Sequence, residues 1–129
     1  LETRPDVDAA HIGYFGWSWG GMLGGLLPAV EPRIKVAVLH VAGLSFNPAL
    51  PEADPVNFLP RIEIPVLMLN GNLDHFFPVE TSQRPMFERF GTPPARKRYR
   101  LFDAGHLVPR ASLIRETLDW FDTYLGKVP

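Results

Sequence analysis

The chain has no cysteine, a formal net charge of only −1 over 129 residues, and no long uninterrupted apolar run. Each absence excludes something. Without thiols there is neither a disulfide framework nor a thiolate site. Thirteen Lys and Arg against 14 Asp and Glu leave no electrostatic footprint for a polyanion, so nucleic acid is not an expected partner. The longest apolar stretch, Gly20 to Val30, falls short of the roughly 20 residues that cross a bilayer, so no membrane partner is expected either. No positively charged leader followed by an apolar stretch opens the chain, which makes the cytoplasm the default expectation.

What is present points to a packed core. A hydrophobic fraction of 46% in a chain of this length suits one soluble globular unit that needs no structural metal. Fourteen prolines and 11 glycines divide it into many short elements rather than a helical bundle. The first residue is Leu1, and Leu-Glu-Thr-Arg-Pro reads like the tail of an earlier element. Residues 1–129 are therefore expected to be a piece of a longer polypeptide.

Ile12 to Gly16 read as a strand that opens onto Trp17-Ser18-Trp19-Gly20-Gly21. Met22, Leu23, Leu26, Leu27 and Val30 follow at near-helical spacing before Pro32, which predicts a helix. Ile34 to Val41 are apolar on both faces, the pattern of a buried parallel strand. Ala42 to Glu63 carry little periodicity beyond a helical turn near Val56 to Leu59, and form an irregular connection expected to roof something. Pro65 to Asn70 make a third strand, and Val79 to Phe90 a helix kinked at Pro85 and stopped by Gly91. Lys97 to Phe102 make a fourth strand, with Arg96, Arg98 and Arg100 to one side. In the last helix Leu113, Ile114, Thr117, Leu118, Phe121 and Leu125 share a face, and Gly126 stops it. Strands alternating with helices predict an α/β fold: a parallel sheet of about four strands with flanking helices and ligands at the carboxyl ends of its strands.

The chemistry sits at those ends. Gly16-Trp17-Ser18-Trp19-Gly20 is a G-x-S-x-G between a strand and a helix; small residues at both ends let a strained turn push the Ser18 hydroxyl out above the sheet. The helix that begins after it supplies free backbone N–H groups and a positive dipole end for a developing oxyanion. A serine needs a base, and the base a carboxylate. Asp74 follows the third strand and His106 the fourth, so nucleophile, acid and base each come after a separate parallel strand. Asp103 is a rival acid that more plausibly caps its own loop. His40 reads as a satisfied core histidine, His11 as solvated, and His75 as a gating or substrate contact at most. Trp17 and Trp19 flank the nucleophile, and either lines the acyl pocket or packs the turn against the sheet. The arginine-rich strand reads as a protected edge rather than an anion site. No metal or cofactor is required.

These residues resemble the α/β-hydrolase superfamily, specifically the C-terminal half of dienelactone-hydrolase-like and prolyl-oligopeptidase-like (acylaminoacyl-peptidase) enzymes. "PVLMLNGNLDHFFPVETSQRPMF" from Pro65, "GTPP" from Gly91 and "GHLVPR" from Gly105 look more narrowly like the hydrolase module that follows a serine/threonine kinase domain in some bacterial proteins. The resemblance implies Ser18 as nucleophile, Asp74 as acid, His106 as base and the Trp19 backbone N–H as one oxyanion donor. It implies hydrolysis of a small-molecule ester or a peptide through an acyl-enzyme. It also implies about four further strands before the serine turn, with the second oxyanion donor among them. Their absence would leave one edge of the Ile12 to Gly16 strand unpaired, expected to pair with a second copy or with the missing N-terminal half. On that account an alternative expectation is a non-catalytic interaction module that keeps the triad residues on an incomplete sheet.

Overall fold

A computed structural model describes residues 3–127. Four strands form one sheet in the order β1 (Ile12–Trp17), β2 (Ile34–His40), β3 (Val66–Gly71) and β4 (Lys97–Phe102), and every neighbouring pair is parallel. Helices α1 (Trp19–Leu23), α2 (Leu27–Val30), α3 (Arg84–Arg89) and α4 (Arg110–Leu125) flank it. The expected α/β architecture of about four parallel strands is the one observed.

Alternation along the strands divides the core in two. Ala37, Leu39, Val66 and Met68 point to one face, where they meet Leu59, Ile62, Met86 and Phe90. Val36, Val38, Leu67 and Leu69 point to the other and meet Val108 and Trp120. Because β2 and β3 are covered on both faces, they are apolar almost throughout, whereas the outer strands β1 and β4 are only half-buried.

Local chemistry explains where the elements depart from their expected bounds. The helix expected over Met22 to Val30 is two short helices separated at Gly24 and Gly25. Pro28 has no N–H to donate to the Gly24 carbonyl, so the helix restarts rather than continues. A Cβ on Gly24 would lie 2.2 Å from Leu39 Cδ2, so that position closes the helix onto the sheet. The second helical region is a π-turn, Val79–Gln83, running into α3. Pro85 lies in the first turn of α3, where its missing N–H costs nothing, so the irregularity precedes the proline instead of falling on it. The connection after β2 holds two 3-10 turns, Pro55–Asn57 and Leu59–Arg61.

Helix α4 is rotated relative to its sequence pattern. Leu113, Phe121 and Leu125 pack into the core as expected, but Ile114 and Leu118 are exposed and Glu116 and Trp120 are buried. Two partners from β4 account for this. Arg100 forms an ion pair with Glu116, and Arg98 lies over the Trp120 ring. Arg96, on the turn before β4, donates instead to the Glu63 carbonyl. These arginines thus fasten the edge strand to its surroundings, consistent with the edge reading.

The strand ends meet under tight steric limits. A Cβ at Gly71, the last residue of β3, would stand 2.0 Å from the Gly105 carbonyl oxygen and 2.2 Å from that of Ala104. Those oxygens are main-chain atoms and cannot swing aside. We expect Gly71→Ala to destabilise the fold by about 1–3 kcal/mol, the usual scale for overpacking, read as a lowered midpoint of chemical denaturation.

Candidate active site

The carboxyl ends of the strands carry the site. Ser18 follows β1 with φ 53°, a left-handed conformation that a non-glycine residue adopts only when its surroundings enforce it. Its N–H donates to the His40 carbonyl at 2.9 Å, and its carbonyl accepts from Met22 N–H, the start of α1. The turn is therefore held at both ends. Gly16 is needed in it: a Cβ there would lie 2.4 Å from the Gly20 carbonyl oxygen. The other end of the motif differs from expectation. A Cβ on Gly20 would meet only the Tyr14 hydroxyl, at 3.8 Å, an ordinary contact. The crowded neighbour is Gly21, whose Cβ would come within 2.8 Å of Ala42, because that is the helix position turned toward the end of β2.

Ser18 Oγ lies 2.7 Å from His106 Nε2, and His106 Nδ1 lies 2.8 Å from Asp74 Oδ2. The second Asp74 oxygen accepts the N–H groups of Phe76 at 2.9 Å and Phe77 at 3.2 Å. The Asp74 side chain is wholly buried. A carboxylate can only accept, so Nδ1 carries the proton and Nε2 of the neutral ring is left to accept from the serine hydroxyl. A hydroxyl bonded to an imidazole that is itself bonded to a buried carboxylate can pass a proton from serine to histidine and steady the charge that results. Asp103 is exposed.

A cavity of about 630 Å³ opens beside Ser18 and His106. Met22 and Leu23 of α1, Phe46 and Pro55 of the connection after β2, and Phe76 and Phe77 of the acid loop supply much of its wall. The irregular connection does roof a cavity. Trp19 lines it, but Trp17 and His75 do not. The serine turn separates the tryptophans: Trp19 begins α1, while Trp17 ends β1, pairs with His40 in the sheet register and stacks on its ring on the α4 face, opposite the cavity. His75 is exposed and rests on Phe76, which occupies the place at the cavity that His75 was expected to take. At the cavity Trp19 and Phe76 thus stand where Trp17 and His75 were expected. Among the described residues, no group of three His, Asp or Glu side chains gathers as a metal site.

With this geometry in hand, the chain can be set beside known proteins. No family profile matches it. A Methylorubrum extorquens protein named for carboxymethylenebutenolidase is 35% identical over 79 residues, covering 60% of this chain and 27% of that protein. An Escherichia coli protein of the same name is 29% identical over 138 residues, covering 97% of this chain and 51% of that one. A Klebsiella pneumoniae structure named for dienelactone hydrolase superposes with a TM-score of 0.78 at 25% identity, covering 94% of this chain and 55% of that chain. The chain is dienelactone hydrolase-like: its relatives and structural neighbours are of that kind, in the α/β-hydrolase class. It spans about half the length of the E. coli relative and about a quarter of the M. extorquens one.

Two buried polar residues of this dienelactone hydrolase-like chain tie the loops of the site together. His40 is buried, as expected, but it is more than a satisfied core residue. Its carbonyl holds Ser18, and its Nε2 accepts the Val108 N–H at 3.2 Å, two residues beyond His106. Val41, next in the chain, has φ 46°, a strained conformation for a β-branched residue that its complete burial sustains. Gln83 donates to the carbonyls of Gly71 and Phe77, the two ends of the loop that carries Asp74, and accepts from the Tyr99 hydroxyl at 2.6 Å. Burial pushes the Tyr99 phenol up to about 12, which keeps it a donor. Neither residue belongs to a motif. A buried strand ending in histidine was the one visible signal.

Burial, with a smaller contribution from the charge of His106, pushes the His40 imidazole down to about 4 from an ordinary 6.5. Above pH 6.5 both folded and unfolded chains hold His40 neutral. Between about 6.5 and about 4 only the unfolded chain takes up the proton, so stability is lost as pH falls through that window, by on the order of 3 kcal/mol. His40→Gln removes this contribution. Urea denaturation at pH 7 and pH 4.5 is expected to show the unsubstituted chain losing stability relative to the variant at the lower pH.

Proposed function

We propose that this chain carries the nucleophile, base and acid of a serine hydrolase that cleaves an ester bond through an acyl-enzyme. The observation that supports this most directly is the continuous pair of hydrogen bonds from Ser18 Oγ to His106 and from His106 to Asp74. His106 Nε2 takes the hydroxyl proton as Ser18 Oγ attacks the carbonyl carbon. Asp74 stabilises the imidazolium, and the proton then goes to the leaving alkoxide as the acyl–oxygen bond breaks. Water then attacks the acyl carbon as His106 takes its proton, and His106 returns that proton to Ser18 Oγ as the acyl–serine bond breaks and the acid leaves. The Trp19 N–H lies at the first turn of α1, where backbone donors have no partner within the helix, and serves as one oxyanion donor. Names borne by the relatives denote a lactonase, which also acts on an ester, so we place an ester ahead of a peptide as substrate.

Against a purely non-catalytic module stands the cost of the arrangement. A buried carboxylate and a left-handed serine are each unfavourable to folding on the scale of about 1–3 kcal/mol, and neither adds a core contact. We place a partner at the open edge of β1, where Phe15 and Trp17 are exposed: either a second copy or the further strands of a longer chain. The proposed partner is small-molecule substrate at the site and protein at the edge.

A fluorophosphonate probe is expected to label the chain and to lose that labelling in Ser18→Ala; equal labelling of both sinks the assignment. Asp74→Asn preserves size but presents an amide to Nδ1, and is expected to lower kcat for a p-nitrophenyl ester by roughly 10⁴ with KM little changed.

A further inference from the structure

Asp74 is held at both of its oxygens. Oδ2 is bonded to His106, and Oδ1 accepts the N–H groups of Phe76 and Phe77. The carbonyl of the same Phe77 accepts from Gln83 Nε2 at 2.6 Å, so the residue that grips the carboxylate is itself gripped from behind. A second bond from that amide nitrogen, at 3.0 Å, goes to the carbonyl of Gly71, where the acid loop leaves β3. Gln83 is completely buried. Both carbonyls can only accept, so the amide nitrogen faces them and Oε1 is left for the Tyr99 hydroxyl, which donates to it at 2.6 Å. Tyr99 is fixed on β4 by stacking on Phe87, with ring centroids 5.4 Å apart. Gln83 is delivered by the π-turn, in which the N–H groups of Ser82 and Gln83 both reach the carbonyl of Pro78, the residue after Phe77. One unbroken run of hydrogen bonds thus leads from Tyr99 through Gln83, Phe77, Asp74 and His106 to Ser18. Its far end lies on the β3–β4 side of the sheet, away from the open edge of β1.

Building on the serine-hydrolase reading, we infer that Gln83 and Tyr99 are positioning residues for the reaction, holding the Asp74 carboxylate where it orients His106 toward Ser18. Neither touches the reacting atoms; both act through the Phe77 peptide. A single amide that spans the two ends of the acid loop keeps them from drifting apart, and the loop then presents Asp74 at one angle. The Tyr99 hydroxyl decides which end of the amide faces the loop. Without it, the Gln83 oxygen loses its donor and the amide is free to turn away from the two carbonyls. Removing one member of a buried network leaves its partners unpaired, so the disturbance passes along the run instead of stopping at Gln83.

The test is the kinetics with which a fluorophosphonate labels Ser18 in the full chain. The extent of labelling counts folded sites, while the maximal rate reports how readily Ser18 attacks the bound probe. Gln83→Met keeps the length of the side chain without the amide, and is expected to lower the maximal rate by roughly 10- to 100-fold, with the half-saturating probe concentration within about twofold and the extent unchanged. Tyr99→Phe keeps the stacking on Phe87 and is expected to lower the maximal rate about fivefold. On an Asp74→Asn background, Gln83→Met is expected to cost no more than about a further twofold, because residues that act through one another are not additive. A maximal rate unchanged in either variant that folds, or a Gln83→Met loss repeated in full on Asp74→Asn, overturns the positioning role and leaves the serine-hydrolase reading standing. If Gln83→Met does not fold, Tyr99→Phe decides alone. Absence of labelling in the unsubstituted chain overturns the serine-hydrolase reading and the positioning role with it.

Discussion

The parallel register of the sheet is the constraint on which the site depends. Trp17 stands beside His40, His40 beside Leu69, Leu69 beside Arg100, and Gly71 beside Phe102, so the four strands finish at nearly one level. Loops leaving a common edge in a common direction cannot avoid one another. Asp74 and His106 are 32 residues apart, and His106 and Ser18 are 88, yet each pair closes to hydrogen-bond distance. The loop-closure entropy of those separations is offset by the sheet, which has already fixed where each loop begins. What remains for the loops is aim, and that comes from buried polar contacts: His40 on the serine turn and the histidine loop, Gln83 on the acid loop.

Close packing at this edge explains why glycine appears where it does. Gly16, Gly21 and Gly71 are places where two stretches of backbone, or a backbone and a neighbouring Cβ, come closer than any side chain allows. The same approach raises strain at Ser18 and Val41, the two non-glycine residues with positive φ among those described. These two lie either side of one hydrogen bond, since Ser18 N–H reaches the carbonyl of the residue before Val41. Strain of this kind persists because core burial on both faces of the sheet over-determines the backbone.

The roof of the cavity shows a different economy of means. The connection after β2 has little periodicity, and its 3-10 turns are short, but Asp54 ties it down by accepting two backbone N–H groups. A segment held at a few points can carry exposed aromatic side chains such as Phe46 without collapsing them into the core. Scaffold and cavity wall are thus separated in the chain, the strands bearing the first and this loop much of the second.

Much of this was legible in the sequence. β-branched, apolar runs between turn residues identify β2 and β3, because a strand buried on both faces has no polar positions to disguise it, and Ser18, Asp74 and His106 follow β1, β3 and β4 in turn. Properties that turn on a single residue's direction were not legible. Trp17 ends β1 on the α4 face, whereas Trp19, beyond the serine turn, begins α1 and stands at the cavity, although both flank the serine. Apolar periodicity alone would bury Ile114 and Leu118, but Arg98 and Arg100 on β4 reward a rotation of α4 that buries Trp120 and Glu116. Gly20 and Gly21 look alike in the motif, and only the position of Ala42 makes the second one necessary. Local composition determined the elements, their order and the polar residues at their ends. Which face each side chain meets, how tightly the strand ends approach, and what lines the cavity were decided by contacts between distant parts of the chain, which no local pattern encodes.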